Sequence, residues 1–80
     1  MRLDKYLKVS RLIKRRTVAN EACDAGRVLV NSKVARASYE IKENDVIELN
    51  LGQKPFTVRV VKVSEHVTKD GAADLYSVVE

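Results

Sequence analysis

The chain has 80 residues, a formal net charge of +4 and one cysteine. This length suits one domain, whose core must come from Leu, Ile, Val and Ala because aromatic residues are few. A single cysteine excludes an intrachain disulfide, and with no signal peptide at the start of the sequence we expect a reducing, cytoplasmic setting. The apolar runs are too short to cross a bilayer, so no membrane partner is expected.

The charge is divided unevenly along the chain. Residues 1–36 hold ten Lys/Arg and three acids, whereas residues 37–80 hold five Lys/Arg and eight acids, giving +7 and −3. A polyanion should therefore meet the first half and avoid the second. The cations are densest in residues 10–17, which include Arg11, Lys14, Arg15 and Arg16. Nucleic-acid phosphate is the commonest anion that such a cluster meets, and a solvated basic turn is the alternative.

The first predicted element is an amphipathic helix. Its apolar face follows the i, i+3, i+4, i+7 spacing and consists of Leu3, Tyr6, Leu7 and Ser10. The opposite face carries a cationic ridge of Arg2, Lys5 and Lys8. Asp4 lies in the first turn, where a carboxylate interacts favourably with the helix dipole. An alternative role for Asp4 is to orient a neighbouring arginine, such as Arg16, for an RNA contact.

A second helix is predicted from Val18 to Ala25, with Thr17 as its N-cap and Gly26 at the C′ position. Its inner stripe consists of Val18, Ala19, Ala22 and Cys23, and its outward face of Asn20, Glu21 and Asp24. The acids on that outward face argue against insertion into a DNA major groove as in a helix-turn-helix protein. An anion should instead meet this helix at its N-terminus, beside Arg15 and Arg16.

The rest of the chain favours short antiparallel strands. Residues 28–35 predict a hairpin with Asn31-Ser32 as its turn, and residues 27, 33 and 36 add cations near the helices. Strands are predicted at 46–49 and 56–63, with a turn at 43–45 between residues 37–42 and the first of these strands. Residues 64–71 are typical of a loop, and residues 74–79 fit either a short helix or a last strand. The fold class is therefore α+β, with a two-helix N-terminal motif packed on a small curled antiparallel sheet.

No catalytic or metal-binding pattern is recognisable in the sequence. One histidine and one cysteine cannot form a metal cluster, and the three glycines are scattered. We expect Cys23 to be a small core residue and His66 to be a solvated surface residue. A paired-carboxylate site among the acids at 40, 43, 45 and 48 stays open, although so short a chain has little room to enclose a substrate. We expect no enzymatic activity, no metal and no cofactor.

Three aromatic residues offer ring faces on which RNA bases could stack: Tyr6, Tyr39 and Phe56. Tyr6 and Phe56 lie on predicted apolar faces, which favours core packing for those two.

Four segments together resemble the S4 RNA-binding domain. They are residues 2–7 (RLDKYL), 10–17 (SRLIKRRT), 22–31 (ACDAGRVLVN) and 34–35 (VA). The resemblance covers about residues 1–50 and implies the S4, or αL-type, fold, with rRNA or tRNA structure bound on the basic helical face. We assign residues 1–64 to this domain and residues 65–80 to a C-terminal segment packed on it or trailing from it.

Within this family the chain looks most like the stand-alone proteins of ribosome-associated quality control, which are related to the ribosome-associated heat-shock protein. Two departures from the heat-shock relatives are Lys8, where they often have an aromatic residue, and the missing long basic C-terminal extension. The resemblance implies a non-enzymatic, monomeric factor that binds large-subunit rRNA and stranded peptidyl-tRNA. It also implies that the factor supports C-terminal alanine tailing of stalled chains by a NEMF-family partner.

The candidate RNA-binding residues are Arg2, Asp4, Lys5, Lys8, Arg11, Lys14, Arg15, Arg16, Thr17, Arg27 and Lys33. Two other functions are considered. One is a general rRNA- or tRNA-binding S4 protein, and the other is a protein–protein adaptor whose basic face meets an acidic partner.

Overall fold

The computed structural model describes residues 1–65, 67–68 and 70–79. Two helices, α1 (Leu3–Val9) and α2 (Arg16–Asp24), precede a single antiparallel sheet. The strands are β1 (Val28–Val30), β2 (Lys33–Val34), β3 (Val46–Leu49), β4 (Phe56–Val60) and β5 (Tyr76–Val79), the last preceded by a 3₁₀ turn at Ala72–Leu75. Their order in the sheet is β2-β1-β3-β4-β5. The α+β class with two N-terminal helices is thus confirmed.

The apolar face of α1 forms one side of the core. Leu3, Tyr6 and Leu7 are fully buried, and Ser10 is 1% exposed, as the spacing predicts. The Tyr6 hydroxyl donates a 2.7 Å hydrogen bond to the carbonyl oxygen of Leu75. Burial raises the pKa of Tyr6, so the phenol remains a hydrogen-bond donor. This bond ties the first helix to the segment that leads into β5.

The connector between the helices begins with a left-handed residue. Ser10 caps α1, and Arg11 follows with φ +63° at the position where helices usually place glycine. The Arg11 N–H donates to the Lys8 carbonyl, and the N–H of buried Ile13 donates to the Leu7 carbonyl, each at 3.0 Å. An arginine in this conformation costs about 1–2 kcal/mol of backbone energy. The hydrogen bonds and the buried Ile13 hold the connector in place despite that cost.

The predicted N-cap of the second helix is wrong. Arg15 occupies that position with an extended backbone and no side-chain cap, and α2 begins at Arg16. The Arg15 carbonyl already accepts a 3.1 Å bond from the Ala19 N–H, which places Thr17 inside the first turn. The predicted end is confirmed, because Gly26 has φ +75° directly after the Ala25 cap.

The inner stripe of α2 is narrower than the sequence suggested. Ala19, Ala22 and Cys23 are buried, which confirms the assignment of Cys23 to the core. Val18 is 46% exposed, because it lies about 100° around the helix from Ala19. Asn20 lies on the other edge of the stripe and turns toward α1, so its assignment to the outward face is also wrong.

The hairpin and the turns follow the predicted positions. Asn31 and Ser32 both have positive φ, as a two-residue hairpin turn requires. Asn44 has φ +73° in the predicted 43–45 turn. The Asn31 amide donates to Asp45 Oδ1 at 3.1 Å, and its oxygen accepts from the Val46 N–H at 3.0 Å. The two turns are thereby joined at one end of the sheet.

The second half departs from prediction at two places. Strand β4 ends at Val60, short of the predicted residue 63, because the N–H groups of the next two residues both donate to the Leu75 carbonyl. Phe56 is 43% exposed, so its assignment to the core is wrong. It is the first residue of β4 and pairs with Leu49, the last residue of β3, at an end of the sheet where residues 51–55 are all exposed.

Both alternatives for residues 74–79 are partly right, because Asp74 and Leu75 end the 3₁₀ turn and Tyr76–Val79 form a strand. β5 pairs with β4 from Thr57↔Val79 to Val60↔Tyr76. The assignment of His66 to the solvated surface lies outside the described residues. Among the helices that the structure describes, each is too short to cross a membrane.

Candidate nucleic-acid interface

A buried carboxylate organises the face that α1 and α2 share. Asp4 is 2% exposed and accepts hydrogen bonds from two arginines, an asparagine and the backbone. The distances are 2.8 Å from the Lys5 N–H, 3.2 Å from Arg2 Nε and 3.4 Å from Asn20 Nδ2. Arg16 approaches from α2, with its Nε 3.3 Å from Oδ2. One carboxylate therefore joins the starts of both helices.

The pKa of Asp4 shows which influence prevails at this carboxylate. Burial alone would raise that pKa, but hydrogen bonds from Arg16, Asn20 and the Lys5 N–H favour the charged form more strongly. The net effect lowers the pKa of Asp4 below its ordinary value. Asp4 is therefore ionised at neutral pH and attracts both arginines.

Arg2 and Arg16 both contact buried Asp4, yet about half of each side chain is exposed to solvent. The side chains of Arg2 and Arg16 are 50% and 46% exposed, whereas that of Asp4 is 3% exposed. A guanidinium has five N–H donors in a rigid plane, so contact with one carboxylate leaves donors for an external anion. The Asp4–Arg16 contact agrees with the orienting role suggested from the sequence, and the structure adds Arg2 to it.

Four further cations, one in the last turn of α1 and three in the connector, are exposed and form no salt bridge with the carboxylates that the structure describes. They are Lys8, Arg11, Lys14 and Arg15. Lys8, Arg11 and Lys14 line a cleft of about 450 Å³ together with Glu65 and two valines. Three cations against one carboxylate give this cleft a net positive charge, which favours a phosphate-bearing ligand.

The other four predicted site residues lie outside the cleft that Lys8, Arg11 and Lys14 line, and one of them, Lys5, forms an ion pair within the protein. Lys5 Nζ is 3.1 Å from Glu65 Oε1 in an exposed ion pair, which is weak enough to be exchanged for an external anion. Thr17 is exposed beside Arg16 and lines a hollow with it. Arg27 lies beyond the opposite end of α2, and Lys33 lies on β2. The structure therefore places Lys8, Arg11 and Lys14 around one cleft and gathers Arg2 and Arg16 at Asp4, with Arg27 and Lys33 on other elements.

Sequence reasoning missed Asn20 as a member of this site. Its amide nitrogen reaches Asp4 Oδ2, and it lines the same hollow as Arg16 and Thr17. The available signal was spacing, because Asn20 is four residues after Arg16 and therefore lies on the same side of the helix.

Within residues 1–65, 67–68 and 70–79, no group of three or more His, Cys, Asp or Glu side chains could hold a metal ion. Three of the four acids that the sequence left open as a paired-carboxylate site have partners, among them Glu48, which accepts from the Asn50 amide at 3.2 Å. Glu40 pairs with the amino group of Met1, and Asp45 accepts from the Asn31 amide and the Lys42 N–H.

Comparison with known proteins agrees with this architecture. Residues 1–47 match the family model described as the S4 domain. The trimeric structure of Vibrio cholerae Heat Shock Protein 15 superposes with a TM-score of 0.90 at 29% identity, covering 99% of this chain and 81% of that one. The chain belongs to the S4 domain family.

Two curated relatives are similar over almost the whole chain. The RQC P-site tRNA stabilizing factor of Halalkalibacterium halodurans is 54% identical, covering 98% of this chain and 89% of that protein. The factor of the same name from Streptococcus pneumoniae is 48% identical, covering 99% of this chain and 90% of that protein. Their name describes a tRNA-stabilising factor and not an enzyme.

Proposed function

We propose that this chain is a non-enzymatic RNA-binding factor of ribosome-associated quality control, which binds the large subunit and stabilises a P-site tRNA. The observation that carries this proposal is the buried Asp4 carboxylate, which holds two half-exposed arginines at the ends of a segment that carries four more exposed cations. The name of the two curated relatives supports the tRNA assignment.

The basic surface suits folded RNA better than a sequence-specific duplex. The deep, narrow major groove of A-form RNA hides most base edges, so proteins recognise its shape and its phosphates. Arginine forms bidentate contacts with phosphate, and both Arg2 and Arg16 have N–H groups to spare. Four to six phosphate contacts would give a slope of about −3 to −5 in a plot of log affinity against log salt.

In this proposal the residues divide into three groups. Arg2 and Arg16, oriented by Asp4, make the central contacts. The neighbouring RNA phosphates are contacted by Lys8, Arg11, Lys14 and Arg15. Lys5, Thr17, Arg27 and Lys33 make outer contacts, with Lys5 exchanging Glu65 for RNA. Residues 1–64 act as the RNA-binding domain, and β5 adds a further strand to its sheet.

The finer proposal concerns partners. The chain acts as a monomer in the cytoplasm, on the particle where a NEMF-family factor adds alanines to the stalled peptide. In a strain that lacks the chain, alanine tails on stalled peptides should disappear, and they should return with the wild-type protein but not with Arg16→Ala. Tails that persist without the chain would favour a general rRNA- or tRNA-binding role.

Binding itself is tested by cosedimentation with 50S particles over a salt series. Arg16→Ala should weaken binding about tenfold, because loss of one charge-assisted contact costs about 1.5 kcal/mol. Lys62→Ala is the matched control, since Lys62 is an exposed cation outside the helical face. Equal behaviour of the two variants would remove Arg16 from the site. Binding that survives RNase treatment of the particles would favour a protein adaptor instead.

A further inference from the structure

We propose that Tyr39, with Lys33 and Arg36, forms a second RNA contact that takes an unpaired nucleobase. The ring of Tyr39 stacks on the base, and Lys33 contacts its phosphate. This inference rests on the proposed function and adds the kind of RNA element that the protein binds.

Tyr39 is an exposed aromatic residue at the rim of a cleft. It is 37% exposed and lines a space of about 480 Å³ together with Lys33, Val34 and parts of β1. Ligand pockets typically measure about 300–1,000 Å³, so the cleft has room for one base but not for a duplex. As far as the structure describes this lining, it contains no carboxylate.

Lys33 lines the same cleft as the ring, and Arg36 lies three residues before Tyr39 in the chain. Lys33 pairs with Val30 in the sheet, and Val30 is buried toward the helices, so Lys33 points to the helix side. The Tyr39 N–H donates to the Arg36 carbonyl at 2.9 Å, closing a turn whose first residue is exposed Arg36. The nearest acid in sequence, Glu40, is paired with the amino group of Met1. An aromatic face flanked by cations is the usual combination for binding single-stranded RNA.

The segment that carries Tyr39 is continuous with the Asp4 site. The N–H groups of Leu3 and Asp4 donate to the carbonyls of Tyr39 and Ala37 at 2.8 and 3.1 Å, and Arg2 forms a β-bridge with Glu40. Residues 37–40 thus run along the first turn of α1, where Arg2 and Asp4 lie. An RNA stem held at Arg2 and Arg16 could therefore extend an unpaired end over Tyr39.

Phe56 provides a matched comparison within the same chain. It is exposed to a similar extent, 43%, but lies at the opposite end of the sheet from the 31–32 turn. The remaining aromatic candidate, Tyr6, is fully buried. Exposure alone therefore does not single out Tyr39, whereas its neighbouring cations and its attachment to α1 do.

The test compares two RNA probes. One is a blunt RNA stem-loop, and the other is the same stem-loop with a two-nucleotide 3′ extension that contains 2-aminopurine. The extension should raise the wild-type affinity at least about fivefold and quench the 2-aminopurine fluorescence, since one stacked base contributes about 1–3 kcal/mol. Tyr39→Leu should abolish both effects and leave blunt-stem binding unchanged, whereas Tyr39→Phe and Phe56→Leu should keep both.

Salt dependence separates stacking from charge. Tyr39→Leu should leave the salt slope for the extended probe unchanged, whereas Lys33→Ala should reduce it by about 0.7. A wild-type protein that shows no gain from the extension would overturn the inference, as would equal loss with Phe56→Leu or equal weakening of both probes by Tyr39→Leu. Failure of the wild type to bind even the blunt stem would overturn the proposed function and this inference with it.

Discussion

Replacing Asp4 by asparagine separates the positioning of the arginines from their charge. The substitution keeps the shape of the side chain but removes the charge that attracts Arg2 and Arg16. It raises the net charge of the protein from +4 to +5, because one acid is lost. If the net charge governed RNA binding, this variant would bind RNA more tightly than the wild type.

The structure predicts weaker binding instead. Without the carboxylate, both guanidinium groups become free to sample other rotamers, and RNA must order them again at about 0.5–1.5 kcal/mol each. The sum, about 1–3 kcal/mol, corresponds to a roughly 5- to 150-fold loss of affinity at neutral pH. Filter binding or fluorescence anisotropy with a structured RNA measures it. Unchanged or tighter binding, beside a weakened Arg16→Ala control, would refute the positioning role of Asp4.

The same variant also tests the contribution of Asp4 to stability. Hydrogen bonds to charged groups contribute about 1.5–3 kcal/mol, reduced here because both arginines are about half exposed. We therefore expect a loss of about 2 kcal/mol. With a urea m-value near 1 kcal/mol/M, this is a fall of about 2 M in the unfolding midpoint.

The difference in unfolding free energy between the wild type and Asp4→Asn should depend on pH, and the pKa of Asp4 gives the direction. The pKa of Asp4 is lower in the folded state than its ordinary value of about 3.9. The stabilisation is therefore present above about pH 4 and is lost as the pH falls through the folded-state pKa. The gap between wild type and Asp4→Asn should close in urea titrations taken progressively below pH 4. A gap of the same size at neutral and strongly acidic pH would show that it does not arise from ionised Asp4.

Three further substitutions and measurements follow from the structure. Arg11→Gly should weaken RNA binding and reduce the salt slope by about 0.7–0.9. It should also raise stability by up to about 1 kcal/mol, because glycine removes the strain of the left-handed backbone at φ +63° but loses more conformational entropy on folding. Gly26→Ala should cost about 1–2 kcal/mol in a urea melt through its φ of +75° alone, since the added Cβ would lie 3.9 Å from Val34 and meet no clash. Burial raises the pKa of the Cys23 thiol to about 11, so alkylation of this thiol at pH 8 should require unfolding. The free energy of unfolding should decline above about pH 8.5, because the thiol ionises in the unfolded chain before it does so in the folded protein. Labelling of Cys23 in the native protein as fast as in urea would contradict its burial.

Local patterns in the sequence were sufficient for most of the elements. The spacing of Leu3, Tyr6 and Leu7 predicts a helix face because neighbours three and four residues apart share one side. Gly26 and Asn31 mark a helix end and a hairpin because these two residue types tolerate positive φ. The cationic connector and the resemblance to the S4 domain are likewise readable from one segment of the chain.

Tertiary structure decided the features that depend on distant partners. Asp4 and Arg16 are twelve residues apart, and only the packing of α1 against α2 brings them together with Arg2 and Asn20. The exposure of Phe56 depends on where the sheet ends, which alternation along one strand does not specify. β5 exists as a strand because β4 offers it an edge. Patterns within one segment thus specified most secondary-structure elements and the positive charge of the helical surface. Contacts between segments determined which charged side chains are held in place.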